Sequence, residues 1–222
     1  MNFSRYAIYF IPDLSLFQAG SDWLGWNSAT GQETTRSDAH CDITKRPRKY
    51  GFHATVKPPF SLASNLSQNE LQNEFHAFCA TVSPVKGGKL KISRLGQFLA
   101  MTQDVQSNEV IELATATVTH FDKFRAPLTD KDIEKRRRSR LTQKQEELML
   151  RWGYPYVMQE FKFHMTLTDL LPNDAIDAIE QRANAWFYAL LGQAVNINSL
   201  ALMGEDNQSG RFHVIEKLSL GM

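Results

Sequence analysis

The sequence predicts an α+β protein built as two similar lobes with a cleft between them. Three observations lead there. The stretch YGFHATVKPPF, residues 50–60, returns in outline as FKFHMTLTDLL, residues 161–171, with Phe, His, an apolar residue and Thr in the same order. Each stretch leads into a short loop, an amphipathic helix and a pair of extended runs. Residue identity between the halves is otherwise low, so the duplication rests on element order, and two copies of one unit pack most simply about an approximate two-fold axis. Equivalent strands would then face each other across the cleft.

In chain order, RYAIYFI (5–11) is aromatic and β-branched and stops at Pro12, which reads as a strand. In SLASNLSQNELQNEFHAFCATVS, Leu71, Phe75, Phe78 and Val82 share one helical face. Ser67 and Glu70 stand at capping-box spacing at its start, and Leu66 and Leu71 at staple spacing. LKISRLGQFLAMT then offers two extended runs about Gly96, a hairpin. The middle, about 112–152, reads as a helical insertion in pieces: ELATATVTHFDKF runs up to Pro127, and a later piece restarts at Thr142, with Gln145 completing its box. After Pro172, Ile176, Ile179, Ala183, Trp186 and Leu190 form one stripe that Gly192 closes. VNINSLALM and FHVIEKLSL flank the turn-rich GEDNQSGR as two strands.

The totals narrow the function. The 222 residues, 42% hydrophobic and 22% charged, suit a globular chain with a sizeable core. Twenty-five Lys and Arg against 24 Asp and Glu leave a formal charge of +1, so no overall field draws a long polyanion or an acidic membrane. Cys41 and Cys79 stand far apart without ligand-spaced neighbours, as two free thiols of a reducing compartment would. YAIYFI is too short for a signal-peptide core or a membrane span, and the protein is read as cytoplasmic.

The chemistry sits in the two histidine stretches. Side chains alternate along a strand, so Phe52, Ala54 and Val56 turn one way and His53, Thr55 and Lys57 the other. Likewise Phe161, Phe163, Met165 and Leu167 oppose Lys162, His164, Thr166 and Thr168. An imidazole titrates near neutrality, so a pair can hold one ring that takes a proton and one that gives it, as breaking a phosphodiester requires. The Thr hydroxyls are donors for the non-bridging oxygens, where a carboxylate would repel phosphate. No Asp, Glu or Cys stands at ligand spacing beside either His, and the i+2 partner is an alcohol, so neither metal nor cofactor is assigned.

HATV at 53–56 and HMTL at 164–167 resemble the paired His-x-Thr/Ser-x signatures of the two-histidine (2H) phosphoesterase superfamily. That superfamily includes RNA 2',3'-cyclic phosphodiesterases and 2'-5' RNA ligase-like (LigT-like) proteins. KYGFHATVKPPF, FDKFRAPL, RWGYPYV and FKFHMTLT are similar to a branch of it associated with phosphonate-utilisation operons, a likeness spanning most of the chain. The resemblance implies His53 and His164 as the catalytic pair and Thr55 and Thr166 as phosphate-binding hydroxyls. It also implies a bilobal LigT-like body, taken as one domain over 1–222, with the site between the lobes. A mechanism class follows from it, not a substrate.

Tyr50 and Lys57 bracket the first motif as candidate substrate contacts, and Lys162 holds a similar place beside the second. Tyr154 and Tyr156 either stack on a base or ribose or pack beneath the preceding helix. Of the two basic runs, KRPRKY (45–50) leads into the His53 motif and would concentrate phosphate there, whereas EKRRRSR (134–140) reads as a solvated helix face. The other histidines, His40, His76, His120 and His213, read as ordinary structural residues. The expected activity is metal-independent hydrolysis or transesterification of a small cyclic phosphodiester, a ribose or nucleotide cyclic phosphate, in phosphonate metabolism. The rivals are RNA end processing or 2'-5' ligation, less favoured at a charge of +1, and a non-catalytic module that binds a phosphorylated metabolite. Which histidine is base and which is acid depends on substrate polarity.

Overall fold

A computed structural model describes residues 2–34 and 37–221. The chain runs β1 (Phe3–Phe10), α1 (Leu14–Leu24), the short pair β2 (Trp26–Asn27) and β3 (Gln32–Glu33), α2 (Asp38–Ile43), α3 (Lys45–Tyr50) and β4 (Ala54–Phe60). Next come α4 (Gln68–Thr81), β5 (Val85–Leu95), β6 (Phe98–Gln103), α5 (Asn108–His120), α6 (Asp130–Arg137), α7 (Gln143–Trp152) and β7 (His164–Thr166). The last elements are α8 (Ile176–Phe187), β8 (Ala194–Ile197), β9 (Ser199–Asp206) and β10 (Phe212–Ser219). Among the described residues no helix is long and apolar enough to cross a membrane.

The fold is α+β, and its main sheet is antiparallel in the order β10-β9-β1-β4-β7-β6-β5-β8. Two four-stranded halves meet at β4 and β7, joined by one register pair, Ala54 with Met165. The hairpin β5–β6, which follows the first histidine strand, lies beside β7. The hairpin β9–β10, which follows the second, lies in the half that holds β4. Each repeat therefore completes the other's half-sheet. The equivalent strands lie edge to edge rather than facing, because pairing satisfies the backbone groups that each half would otherwise leave bare at its rim.

VNINSLALM is two strands, not one. Asn198 alone separates β8 from β9, yet the two stand near opposite ends of the strand order. Residues two apart lie within about 7 Å, so the sheet curls until its ends approach. Phe52, Phe75, Phe163, Met165 and Leu202 belong to the single large core cluster that this curl encloses.

Most expected elements are in place. The α4 capping box closes with Ser67 and Glu70, and that of α7 with Thr142 and Gln145. The hairpin turns at Gly96, and α5 starts four residues before the insertion expected from residue 112. In α8 the core stripe is Ile176, Ala183 and Phe187, while Trp186 is 46% exposed, because the helix ends at Phe187 and phase favours that ring.

Helix α1 has its own cap: the Asp13 carboxylate accepts from Leu16 N at 3.1 Å, and Leu16, Phe17, Gly20, Trp23 and Leu24 are buried. Gly20 is where α1 meets the first histidine segment. A Cβ there would lie 2.1 Å from Phe52 Cγ, and that ring is fully buried beside His53. Gly20→Ala adds helix propensity but displaces Phe52, so a net loss of about 2 kcal/mol is expected as a lower urea midpoint with m unchanged.

Candidate active site

The site starts from the register of the seam. With Ala54 opposite Met165 in an antiparallel pair, His53 stands across from Thr166 and Thr55 across from His164. Four polar side chains thus form a square on one face, and the two histidines occupy its diagonal, a spacing of about 7–8 Å between strand positions. Phe52, Ala54, Phe163 and Met165 point the other way and are buried at 3% exposure or less. That is the alternation read from the sequence, and it aims both imidazoles at one space.

Both rings are held alike. His53 Nδ1 lies 2.9 Å from Gly51 O and His164 Nδ1 2.8 Å from Lys162 O, so each Nδ1–H donates to the carbonyl two residues back. Each Nε2 is then the acceptor in the neutral ring. Thr55 Oγ1 sits 3.0 Å from His53 Nε2 and donates to it. Gly51 makes the first clamp feasible: its φ of 76° favours glycine, and a Cβ there would lie 2.8 Å from Ser28. Tyr9 stacks on His53 with ring centroids 3.6 Å apart.

Electrostatics keep both rings neutral at pH 7. Burial pushes His53 down to about 4, against the Gly51 carbonyl, which favours the charged ring, while the nearby His164 lowers it further. Burial also lowers His164, opposed by its bond to Lys162 O. A bound phosphate anion works the other way and favours imidazolium.

The rings open into a cleft of about 460 Å³ whose lining includes His53, Thr55, His164 and Thr166. A smaller recess of about 220 Å³ adjoins it and shares Tyr50, His53 and Thr166. All four motif residues therefore meet, and Tyr50 joins them with its ring 6.4 Å from that of His53.

Lys57 does not join them. It is 2% exposed, with Nζ donating to Val118 O at 3.2 Å, 3.9 Å from Asp122 and 5.1 Å above the Phe60 ring. Burial pushes it down to about 8, against the pull of Asp122. The cause is a double irregularity in β4, where Tyr9, Ile8 and Tyr6 pair with Thr55, Lys57 and Phe60. The extra residues turn Lys57 to the core side just before Pro58, which has no N–H for the ladder. Lys162 is exposed and contributes its carbonyl, and Thr168 is buried, accepting from Leu99 N at 3.0 Å.

Several lining residues were not singled out as site residues in the sequence. Tyr9 comes from β1, Arg5 from the same strand and Arg136 from α6, in the run read as a solvated face. Arg136 instead turns to the cleft with its guanidinium 4.9 Å from the Tyr154 ring centroid, and Tyr154 and Tyr156 line the same wall. The run before His53 is largely committed: Arg48 donates to Leu24 O at 2.9 Å, Lys49 pairs with Glu205 at 2.7 Å and Arg46 with Asp169 at 3.8 Å. Among the described residues no group of three or more His, Cys, Asp or Glu side chains is placed to hold a metal ion.

The fold and site define an α+β protein with a paired-histidine cleft on a continuous antiparallel sheet. The chain belongs to the family described as "Protein of unknown function (DUF1045)", whose model matches residues 55–213. It is 36% identical over 222 residues to a Janthinobacterium sp. (strain Marseille) protein named ribose 1,5-bisphosphate phosphokinase PhnN, covering 94% of this chain and 49% of that protein. A protein of the same name from Laribacter hongkongensis (strain HLHK9) is 32% identical, covering 95% of this chain and 50% of that one. The chain thus spans about half the length of the curated relatives it matches. Among solved structures, E. coli LigT in apo form aligns over the whole of both chains at 10% identity and a TM-score of 0.46. The Thermus thermophilus protein TT0787 aligns over 98% of each chain at 12% identity and a TM-score of 0.49. Likenesses that remote carry no weight for the chemistry, which rests on the cleft itself.

Proposed function

We propose that this chain is a two-histidine phosphodiesterase, one bilobal unit that opens a small cyclic phosphodiester of ribose or a nucleotide without a metal. The observation that carries this reading is the square of His53, Thr55, His164 and Thr166 on one face of the β4–β7 seam. One neutral ring takes a proton from water as its oxygen bonds to phosphorus. The other, protonated, gives its proton to the departing oxygen as the old P–O bond breaks. Charge on phosphorus is conserved, and exchange with solvent resets the two rings. With substrate bound the Thr55 hydroxyl turns from His53 Nε2 to the phosphate, and both Thr hydroxyls donate to the non-bridging oxygens as charge builds there.

The names of the relatives favour ribose. Opening a ribose cyclic phosphodiester that spans O1 and a second ribose oxygen leaves a 1-phosphate when the bond from phosphorus to that second oxygen breaks, one of the two phosphates in the compound those proteins are named for. The present sequence has no G-x-x-x-x-G-K-S/T loop to hold a nucleoside triphosphate, which favours the phosphodiesterase reading over kinase activity for this segment. The free cysteines Cys41 and Cys79 agree with a cytoplasmic setting.

The test is a turnover screen over ribose and nucleotide cyclic phosphates, run with EDTA present. Turnover is expected to survive chelation, with a bell-shaped kcat/KM profile whose maximum lies below pH 6.5, since His53 titrates near 4 and His164 below its ordinary value. The kcat profile should lie at higher pH, because the bound anion stabilises the protonated ring. Activity abolished by EDTA and restored by a divalent ion would defeat the metal-free mechanism.

A further inference from the structure

Five side-chain atoms among the described residues are buried with no hydrogen-bond partner, and two of them, the Tyr9 hydroxyl and Arg136 Nε, belong to residues lining the histidine cleft. Orphaned donors are costly, and two in one cleft suggest that a ligand completes them. Charge accounting points to the ligand's sign. Arg5 is bound to Glu205 at 2.5 and 3.0 Å, and Lys49 to the same carboxylate at 2.7 Å. Asp132, the acidic residue on this wall, is held by Thr129 Oγ1 at 2.6 Å and Thr129 N at 3.2 Å in the α6 capping box and offsets part of the Arg136 charge, so that with Lys135 the wall keeps a surplus positive charge. Lys135 lines the cleft beside Arg136, whose guanidinium rests on the neutral Tyr154 ring.

We propose that Arg136, with the Tyr9 hydroxyl and Lys135, forms a second anion subsite that takes a terminal phosphate monoester on the substrate. The inference rests on the phosphodiesterase reading for the first phosphate and adds a second. The preferred substrate is then a cyclic phosphodiester carrying a separate phosphomonoester, with the cyclic phosphorus between the histidines and the monoester on the α6 wall. A guanidinium suits the role because its fixed fork bonds two phosphate oxygens at once, and the aromatic ring beneath holds it without neutralising it.

Two measurements on the full chain decide it. The ratio of kcat/KM for ribose cyclic phosphodiesters with and without a 5-phosphate should be about 30 or more in wild type, fall at least tenfold in Arg136→Met and recover in part in Arg136→Lys. An unchanged ratio in Arg136→Met, or no preference in wild type, overturns the subsite. Ribose 5-phosphate binding by calorimetry should weaken about tenfold in Arg136→Met, with Tyr9→Phe as the second variant. If wild type turns over neither substrate yet binding falls as expected, the subsite stands and the catalytic reading fails. Equal affinities in wild type and both variants overturn the subsite whatever the turnover. No residue of α6 belongs to the core cluster, so Arg136→Met leaves the core intact.

Discussion

His53→Ala and His164→Ala should each lower kcat on a cyclic phosphodiester by about 10³–10⁴, and the double variant should be little worse than either single one. The non-additivity separates a shared proton relay from two independent binding contacts. A base without its acid leaves an alkoxide with no proton, and an acid without its base leaves water unactivated, so the second deletion removes little more. The single variants should also change the pH profile: each loses one limb of the bell, and the limb lost identifies base and acid. Binding of a substrate analogue should fall far less than turnover. Additive losses, or full activity in either variant, contradict the relay.

Thr55→Ala and Thr166→Ala should each cost about 10²–10³ in kcat, as loss of one donor to a developing oxyanion does elsewhere. The two differ in a further respect. The Thr55 hydroxyl lies 3.0 Å from His53 Nε2, where it stabilises the unprotonated ring. Thr55→Ala should therefore move the His53 limb of the profile toward higher pH, which the Thr166 variant, lacking that bond, should not do. Thr55→Ser and Thr166→Ser should retain most activity, since the donor survives. Full turnover in both alanine variants would mean that the hydroxyls serve only the fold.

The histidine strands and their partners were legible because a half-buried strand writes its faces into the sequence. Phe52, Ala54, Phe163 and Met165 alternate with His53, Thr55, His164 and Thr166, and the structure keeps that alternation. The capping boxes at Ser67 and Thr142 were legible for an equally local reason. Lys57 was not, because strict alternation assumes one residue per step and β4 departs from it against β1. Arg136 was hidden by its neighbours: in EKRRRSR only its phase on α6 distinguishes it, and that phase matters through Tyr154, remote in sequence. In the sequence Tyr9 is marked only as part of the strand RYAIYFI, yet it stacks on His53 and lines the cleft. Helix α1 carries a readable signal in Asp13 followed by Leu16, Phe17, Gly20 and Leu24. The seating of Phe52 on Gly20 shows that this helix also supports the site.

Pairing of β4 with β7 rather than facing across a gap changes how the cleft is understood. Its floor is a sheet seam with one register pair, and its walls are α3, α6 and the Tyr154–Tyr156 segment. The catalytic diagonal is therefore set by backbone register, and a slip of one residue in either strand would turn that strand's imidazole into the core.

The most direct measurement is a crystal structure of the protein with vanadate or inorganic phosphate bound. One anion should lie with its oxygens within about 3 Å of both Nε2 atoms and of the Thr55 and Thr166 hydroxyls, the rings still held through Nδ1 by Gly51 and Lys162. An anion bound to only one of the two histidines, or rings turned away from a common phosphorus, would contradict the account.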